Sequence, residues 1–306
     1  MRIRLPEELQ YIQNSLLPQK TTSIRLDGKI SVITGATSGI GLAVAKKFAE
    51  KGAELILICR NQIKAEAIQK TLRNDFGARS MIYLADFNHL DQVREVGYTI
   101  NKEYSKIDIL VNNAGVFNKR RILTPDGNEQ VFQIVHLASF LLTKILSENL
   151  IQAAPSRVIM LNSEAHRFGG LKIDDINWKK RPYIGLRAYG AAKTAQIMTS
   201  ITMSRKLAGK GVSINLIHPG AVRTNIGMNN NFLYRLYSKY ILRWFLKDVS
   251  VATNAIYYLA AAPEIANITG TYFNLTNQEK PASYAINQYC SKEMWDISER
   301  LTQING

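Results

Sequence analysis

Cysteine is scarce in this sequence of 306 residues, and long apolar runs are absent from it. Its two cysteines, Cys59 and Cys290, are too few for a disulfide framework and lack the spacing of metal ligands. They fit a reducing compartment, so we expect a cytoplasmic protein without a metal site. No stretch reaches the roughly 18 apolar residues that a membrane-spanning helix needs. Residues 1–29 are too polar for a secretory signal, so we expect neither a leader nor a membrane span.

Acidic residues are few relative to basic ones. The chain has 39 Lys and Arg against 24 Asp and Glu, which gives a formal net charge of +15. Such an excess favours polyanionic partners, namely nucleic acid, anionic lipid or a phosphorylated cofactor. The cations are scattered along the chain, however, and an ordinary solvated surface has the same pattern. Because no basic groove motif accompanies them, we predict no nucleic-acid partner.

Short apolar runs alternate with segments of helical periodicity along most of the chain. The predicted strands are 30–33, 54–58, 80–84, 107–111, 157–161, 213–217 and 270–273; the predicted helices are 40–51, 62–76, 90–104, 127–153, 183–208, 250–262 and 286–301. This alternation requires crossover connections and therefore predicts a mostly parallel sheet with helices on both faces. We predict a single α/β domain of the doubly wound Rossmann type over 29–306, preceded by an N-terminal extension, 1–28.

Glycines are concentrated between the first strand and the first helix, at Gly35, Gly39 and Gly41. A glycine turn lets the backbone approach a pyrophosphate, and the helix that follows offers free N–H groups and the positive end of its dipole. A merely tight turn is the alternative. The predicted phosphate-binding residues are Gly35, Thr37, Ser38, Gly39, Ile40 and Gly41.

An acidic residue is missing where NAD-binding chains usually have one, about 20 residues beyond the glycine turn. The second strand is followed instead by Cys59, Arg60 and Asn61. A guanidinium group pairs with a ribose 2′-phosphate through charge-assisted hydrogen bonds. Arg60 and Asn61 therefore predict NADP(H) as cofactor, with NAD(H) less favoured. A plain surface arginine is the alternative, but it leaves the missing acid unexplained.

Tyr189 and Lys193 lie four residues apart in a segment of good helix formers. That spacing places the phenol and the ammonium group on one helical face. A neighbouring ammonium stabilises phenolate and lowers the phenol pKa. Carbonyl reduction needs such a proton donor opposite a hydride donor. The pair alone occurs often by chance, so the other motifs decide its meaning.

The motifs together resemble the short-chain dehydrogenase/reductase superfamily over about residues 27–303. In chain order they are Thr34-Gly35-x3-Gly39-Ile40-Gly41, Asp86, Asn112-Asn113-Ala114-Gly115, Ser163, Tyr189-x3-Lys193 and Pro219-Gly220. Within the superfamily the chain is most similar to the retinol dehydrogenase-like group. The supporting segments are Ser163-Glu164-Ala165-His166, 218–224, 270–273 and 294–298.

This resemblance implies an oxidoreductase acting on a small hydrophobic carbonyl or alcohol. It makes Tyr189 the acid/base, Ser163 the group that orients the substrate oxygen, and Lys193 the group that holds the nicotinamide ribose. The residues it implies around the cofactor are Asp86, Phe87, Asn113, Ala114, Gly115, Tyr189, Lys193, Pro219, Gly220, Val222 and Thr224. A purely structural role for Asn112 and Asn113 is an equal alternative.

One residue of the family pattern is missing. Most members carry an asparagine in the helix before the fifth strand, and Val135 stands at that position. In the family this asparagine is thought to stabilise a helix distortion that lets a backbone carbonyl hold a relay water. Either the backbone still bends and the enzyme is active, or turnover is impaired and the chain is a nucleotide-binding regulator or scaffold. His136 is no substitute, because one step along a helix points about 100° away.

A second departure is Asn162, where a serine is common, and we expect it to alter only local packing. The aromatic and basic segment 232–247 falls within the predicted substrate lid, about 224–248. Its cations recur every four residues, which suits contact with anionic lipid or a lid packed on its own domain. Peripheral membrane contact is therefore an open alternative. The resemblance also leaves a homodimer or homotetramer open, since family helices at about 127–153 and 189–208 often form such interfaces.

Overall fold

The structure, a computed structural model, describes residues 17–220 and 248–304. The strands in this part of the chain are β1 (Ile30–Thr34), β2 (Glu54–Cys59), β3 (Ser80–Leu84), β4 (Ile109–Asn112), β5 (Ser156–Leu161), β6 (Val212–His218), β7 (Tyr272–Asn274) and β8 (Asn277–Glu279). They form one sheet in the order β3-β2-β1-β4-β5-β6-β7-β8. Pairing is parallel from β3 to β7, and β8 runs antiparallel to β7. The predicted α/β sheet is confirmed.

Helices cover both faces of this sheet. They are α1 (Gly39–Glu50), α2 (Gln62–Phe76), α3 (Leu90–Glu103), α4 (Gln130–Phe132), α5 (Ala138–Ile145), α6 (Ser147–Gln152), α7 (Gly185–Lys206), α8 (Val249–Ala261) and α9 (Gln288–Thr302). Side chains of α1, α2 and α8 form the core on one face. Those of α3, α5, α7 and α9 form the core on the other. Burial from both sides explains why the central strands are continuously apolar.

The strand order reverses beside β1, which has β2 on one side and β4 on the other. Ligands of doubly wound sheets bind at such a switch point, outside the carboxyl ends of the strands. The glycine turn follows β1 there, Arg60 follows β2, Asn113 follows β4 and Ser163 follows β5. The topology therefore gathers the predicted site residues along one edge of the sheet.

The structure differs from the sequence predictions in two places. The single helix predicted over 127–153 is interrupted, because the segment Gln133–Leu137 between α4 and α5 is a π-helical turn. The strand β8 was not predicted. Its connection to β7 has Leu275 at φ 55, where hairpin turns usually carry glycine or asparagine, and the buried leucine side chain gives no turn signal.

The described part of the predicted N-terminal extension, 17–28, packs against the domain. Leu26 is buried, and its N–H donates to the carbonyl of Lys51 at 2.7 Å. The N–H of Lys20 donates to Thr276 Oγ1 at 2.9 Å. In residues 17–220 and 248–304 no helix is long and apolar enough to cross a membrane. The predicted lid, apart from Asp248, lies outside the described residues.

Candidate active site

The glycine turn after β1 is held in place by the start of the loop after β4. The Asn113 side-chain amide donates to the carbonyls of Thr34 at 2.8 Å and Gly35 at 3.2 Å. A Cβ atom at Gly41 would lie 2.4 Å from both the Asn113 amide nitrogen and the Gly35 oxygen. Because Gly41 has no side chain, the glycine turn and α1 can approach each other this closely, and no other residue fits at this position. The Asn113 side chain thus supports the turn, and the Asn112 amide donates to Thr143 at 3.0 Å inside the core.

The first turn of α1 fits a pyrophosphate group. Ser38 precedes the helix in an extended conformation, and its side chain makes no capping hydrogen bond. The first N–H groups of a helix have no acceptor within the helix. Those of Gly39, Ile40 and Gly41 therefore remain available, at the positive end of the helix dipole, to an anion beside the glycine turn.

The two residues after β2 differ in what they leave free for a ligand. Arg60 is exposed, so its guanidinium group can reach a phosphate outside the sheet edge. The Asn61 side-chain oxygen caps α2 by accepting the N–H of Lys64 at 2.9 Å, which leaves its amide N–H groups as donors. Cys59, just before them, is buried, and burial raises the pKa of its thiol to about 11. A thiol in that state is a packing group.

Asp86 and Phe87 follow β3 on the same edge. One oxygen of the Asp86 carboxylate accepts both the backbone N–H and the side-chain amide of Asn88, at 3.0 and 2.8 Å. Its other oxygen stays available for a ligand, whereas Phe87 is buried in the core below. Pro219 and Gly220 lie directly after β6. Val222 and Thr224, also predicted to bind the cofactor, lie outside the described residues.

Ser163 and Tyr189 meet at the end of β5. Tyr189 lies in the first turns of α7, which packs on the 3-10 turn Glu164–Phe168 that begins right after Ser163. A Cβ atom at Gly190 would lie 2.4 Å from the Ala165 carbonyl oxygen, so glycine is what allows this close approach. The Ser163 hydroxyl lies close enough to the Tyr189 phenol to lower the phenol pKa. The fold therefore brings Ser163 and Tyr189 to the same site, as the motif spacing predicted.

Lys193 stands close to Tyr189 but is bonded elsewhere. Its Nζ lies 5.6 Å from the centre of the Tyr189 ring. The ammonium donates to the Leu161 carbonyl and, at 3.3 Å, to Gln196 Oε1. Burial lowers the pKa of Lys193 to about 7.

The predicted lowering of the phenol pKa by this lysine is not found. Burial raises the pKa of Tyr189 to about 12, while the hydrogen bond with Ser163 acts in the opposite direction. Desolvation is the larger effect on the phenol, and Lys193 directs its N–H groups to the Leu161 carbonyl and Gln196 rather than to the phenol.

The helix distortion associated with the missing asparagine is nevertheless present. Val135 lies in the π-helical turn, and its carbonyl accepts from Ser139 Oγ at 2.9 Å and from Gln196 Nε2 at 3.1 Å. Of the two interpretations of Val135, the structure agrees with the first, in which the backbone still bends without the asparagine. His136 points away from Tyr189 and bonds Ser298 Oγ on α9 at 2.8 Å, as expected from its place in the helix.

Asn162 takes part in the same network, so the expectation that it alters only local packing was wrong. Its side-chain oxygen accepts the N–H of Ser163 at 2.8 Å. Its amide donates to the Lys193 carbonyl at 3.0 Å and to Gln196 Oε1 at 2.9 Å. Gln196 itself was missed by sequence reasoning. The signal was present, because positions 189, 193 and 196 share one helical face.

A buried ion cluster fixes the turn that follows Ser163. Arg167 pairs with Glu164 and with Glu279 on β8, each at 2.5 Å. The Tyr272 hydroxyl donates to Glu164 at 2.8 Å. The turn is thereby tied to the β7–β8 edge of the sheet, which restrains the backbone that carries Ser163.

Apolar side chains lie near Ser163 and Tyr189, one in ring contact and three close in sequence. The ring of Phe117 meets that of Tyr189 edge to face, with 6.0 Å between the ring centres. Phe168, at the end of the turn after Ser163, is 55% exposed, and Ile184 and Leu186, one turn before Tyr189, are each 48% exposed. Exposed apolar side chains near these polar groups suit a hydrophobic ligand.

The model of the short chain dehydrogenase family matches residues 29–232. This chain belongs to that family. Retinol dehydrogenase 13 of Homo sapiens is 36% identical to it, with 97% of this chain and 90% of that protein covered. Retinol dehydrogenase 14 of Homo sapiens is 32% identical, with 90% and 86% covered. The WW domain-containing oxidoreductase of Gallus gallus is 33% identical, with 97% and 73% covered. The chain is thus a retinol dehydrogenase-like member of the family.

Solved structures agree on the fold of this short-chain dehydrogenase. An uncharacterized protein from Mycobacterium paratuberculosis superposes with a TM-score of 0.74 at 26% identity, over 94% of this chain and 98% of that one. A short chain dehydrogenase from Burkholderia cenocepacia, solved in complex with NADP, gives a TM-score of 0.65 at 23% identity, over 83% and 98%. At that identity the second likeness supports the fold alone.

Proposed function

We propose that this short-chain dehydrogenase is an NADP(H)-dependent oxidoreductase that interconverts hydrophobic carbonyl compounds and alcohols, with Tyr189 as acid/base. The observation that carries the proposal is the placement of Tyr189 on the helix that packs against the turn after Ser163, with the Ser163 hydroxyl acting on the Tyr189 phenol. This pair lies on the same sheet edge as the glycine turn, so a bound substrate and a bound dinucleotide would meet there.

The chain supplies groups for each part of the cofactor. The N–H groups at the start of α1 would hold the pyrophosphate, Arg60 the 2′-phosphate and Asp86 the adenine side. Lys193 would hold the nicotinamide ribose. NADPH, when bound, supplies the hydride for carbonyl reduction, and NADP⁺ accepts one in alcohol oxidation.

Tyr189 is suited to give a proton. Because burial raises the pKa of Tyr189 to about 12, the phenol stays protonated at neutral pH. Ser163 would orient the substrate oxygen beside the phenol, and the phenol would donate its proton to that oxygen as the carbonyl is reduced. Alcohol oxidation needs the phenolate instead, which takes up the proton of the alcohol.

The apolar surroundings indicate the substrate class. Phe117 packs on Tyr189, and Phe168, Ile184 and Leu186, which are close in sequence to Ser163 or Tyr189, expose apolar area. Burying such area stabilises an apolar ligand by about 25 cal/mol per Å². The names of the relatives make retinal and retinol suitable probes. Membrane contact, self-association and the cytoplasmic location stay predictions.

The proposal is tested by binding and turnover on the purified chain. We expect NADPH to bind and its absorbance to fall when apolar aldehydes and ketones, retinal included, are added. Tyr189→Phe should keep NADPH binding within a factor of about two but lose at least about a hundredfold in kcat, because the proton donor is removed. Tyr289→Phe, on an exposed tyrosine of α9, is the matched control and should react like the unaltered chain.

Tight NADPH binding without turnover of any carbonyl or alcohol would overturn the oxidoreductase proposal. That outcome favours the alternative of a nucleotide-binding regulator. Equal kcat values for Tyr189→Phe and the unaltered chain would remove Tyr189 from the acid/base role.

A further inference from the structure

Gln196 lies at the centre of the buried hydrogen-bond network behind Tyr189. The side chain is 3% exposed and sits on α7, three residues after Lys193. Its amide oxygen accepts from Lys193 Nζ at 3.3 Å and from Asn162 Nδ2 at 2.9 Å. Its amide nitrogen donates to the Val135 carbonyl at 3.1 Å. One side chain therefore connects α7, the end of β5 and the π-helical turn.

The partners themselves fix the orientation of this amide. An ammonium group can only donate, and a backbone carbonyl can only accept. The Gln196 oxygen must therefore face Lys193, and its nitrogen must face Val135. A flipped amide would oppose like groups on both sides, so the geometry around Lys193 has a single satisfied arrangement.

The network also accounts for the two departures from the family pattern together. The Val135 side chain has no hydrogen-bonding group, yet its carbonyl is bonded by Gln196 and Ser139. Asn162 bonds the N–H of Ser163 and the oxygen of Gln196. Among the described residues, Gln196 is the link between Lys193 and the π-helical turn: it bonds Lys193 through its oxygen and the Val135 carbonyl through its nitrogen.

We propose that Gln196 is a positioning residue of this enzyme, which holds Lys193 in register with Tyr189 by bridging its ammonium group to the Val135 carbonyl. The inference rests on the proposed function, since Lys193 acts on turnover only beside a bound cofactor. Gln196 touches neither Tyr189 nor Ser163 in any described hydrogen bond, so it acts through Lys193 and Asn162.

Two substitutions separate positioning from simple packing. Gln196→Met keeps the length of the side chain and removes the hydrogen bonds to Lys193, Asn162 and Val135. Gln196→Glu keeps the acceptor for Lys193 and Asn162 and loses the donor to Val135. Gln69→Met is the matched control. Gln69 lies on α2, away from the site, and its side-chain amide donates to the Ser80 carbonyl at 2.6 Å.

We expect Gln196→Met to lower kcat by about tenfold, the effect of losing one hydrogen bond to a charged group, with the carbonyl KM changed by less than about twofold. Gln196→Glu should recover part of that loss, and Gln69→Met should not change kcat. A merely structural role predicts instead that kcat follows Tm through the three variants. Unchanged kcat in Gln196→Met, or kcat that follows Tm, overturns the inference.

NADPH affinity, measured by titration of the same variants, separates this inference from the proposed function. If the unaltered chain binds NADPH but turns over no carbonyl, the proposed function fails while the positioning of Lys193 is still measurable. Gln196→Met should then weaken NADPH binding by about tenfold, and Gln196→Glu by less. Equal NADPH affinity in both variants and the unaltered chain contradicts the inference.

Discussion

In the proposed function, the choice between the two cofactors depends on Arg60. It is exposed directly after β2, and no acidic side chain stands beside it at the position where one would bind a ribose 2′-hydroxyl. Its guanidinium group adds affinity only for a cofactor that carries the 2′-phosphate, since charge-assisted bonds need that charge. We therefore expect this contribution to be specific to NADPH.

Replacing this arginine should change the preference between the two cofactors. We expect Arg60→Ala to weaken NADPH binding by about ten- to a hundredfold, the effect of losing charge-assisted hydrogen bonds, and to leave NADH binding unchanged. Titration with each cofactor measures both. Arg73→Ala, an exposed arginine at the other end of α2, should alter neither. A parallel loss of NADPH and NADH affinity in Arg60→Ala would mean that the arginine does not recognise the 2′-phosphate.

Single residues also mark where sequence reasoning stops. The motif spacing placed Ser163 and Tyr189 together because each follows a predictable element. It gave the wrong pKa for Tyr189, since burial depends on packing from elements that are distant in sequence. The contact of Gln196 with Val135 joins residues 61 positions apart, and no local pattern reports such a pair.

The π-helical turn and α9 are coupled through His136. Its Nε2 bonds Ser298 Oγ, whose own proton goes to the Met294 carbonyl at 2.6 Å, so Nε2 carries the ring proton. No described residue bonds His136 Nδ1. Burial lowers the pKa of His136 to about 3, because a second proton would place an uncompensated charge between α9 and the turn.

This coupling predicts a loss of stability in acid. Between about pH 6.5 and the native value near 3, the unfolded chain binds a proton at His136 that the folded chain does not, so the free energy of unfolding falls as pH falls. We expect His136→Gln, which keeps a donor for Ser298, to reduce the loss between about pH 7.5 and about pH 5 by about 2 kcal/mol. Urea unfolding at the two pH values measures this. An identical pH dependence in both proteins would show that His136 titrates normally in the folded state.

Elements with clear end signals were predicted well, and those without were not. The helix α2 begins after the Asn61 cap and ends at Gly77, which has φ 62, and its bounds agree with the prediction. The break in the helix before β5 has no proline or glycine to announce it. It depends on Ser139 and Gln196, which bond the freed Val135 carbonyl from the side. The π-helical turn that is linked to Lys193 through Gln196 therefore depends on tertiary contacts, which a local sequence pattern does not report.

For the whole molecule, alternating patterns were enough to predict the topology. Continuous apolar strands separated by amphipathic helices permit few arrangements other than a parallel sheet covered on both faces. The carboxyl ends of β1, β2, β4 and β5 then lie on one edge. The net charge of +15, by contrast, identified no partner, because the cations are spread through the chain.

Isotope transfer tests the central claim of this account most directly. Two NADPH epimers, each carrying deuterium on one face of the nicotinamide C4, are mixed separately with a carbonyl substrate and the chain. The deuterium content of the alcohol product is then measured by mass spectrometry. We predict one deuterium in the alcohol from one labelled epimer and none from the other. In Tyr189→Phe the labelled alcohol should form at least about a hundredfold more slowly. Alcohol without label from both epimers, or undiminished labelling in Tyr189→Phe, would contradict hydride transfer assisted by this tyrosine.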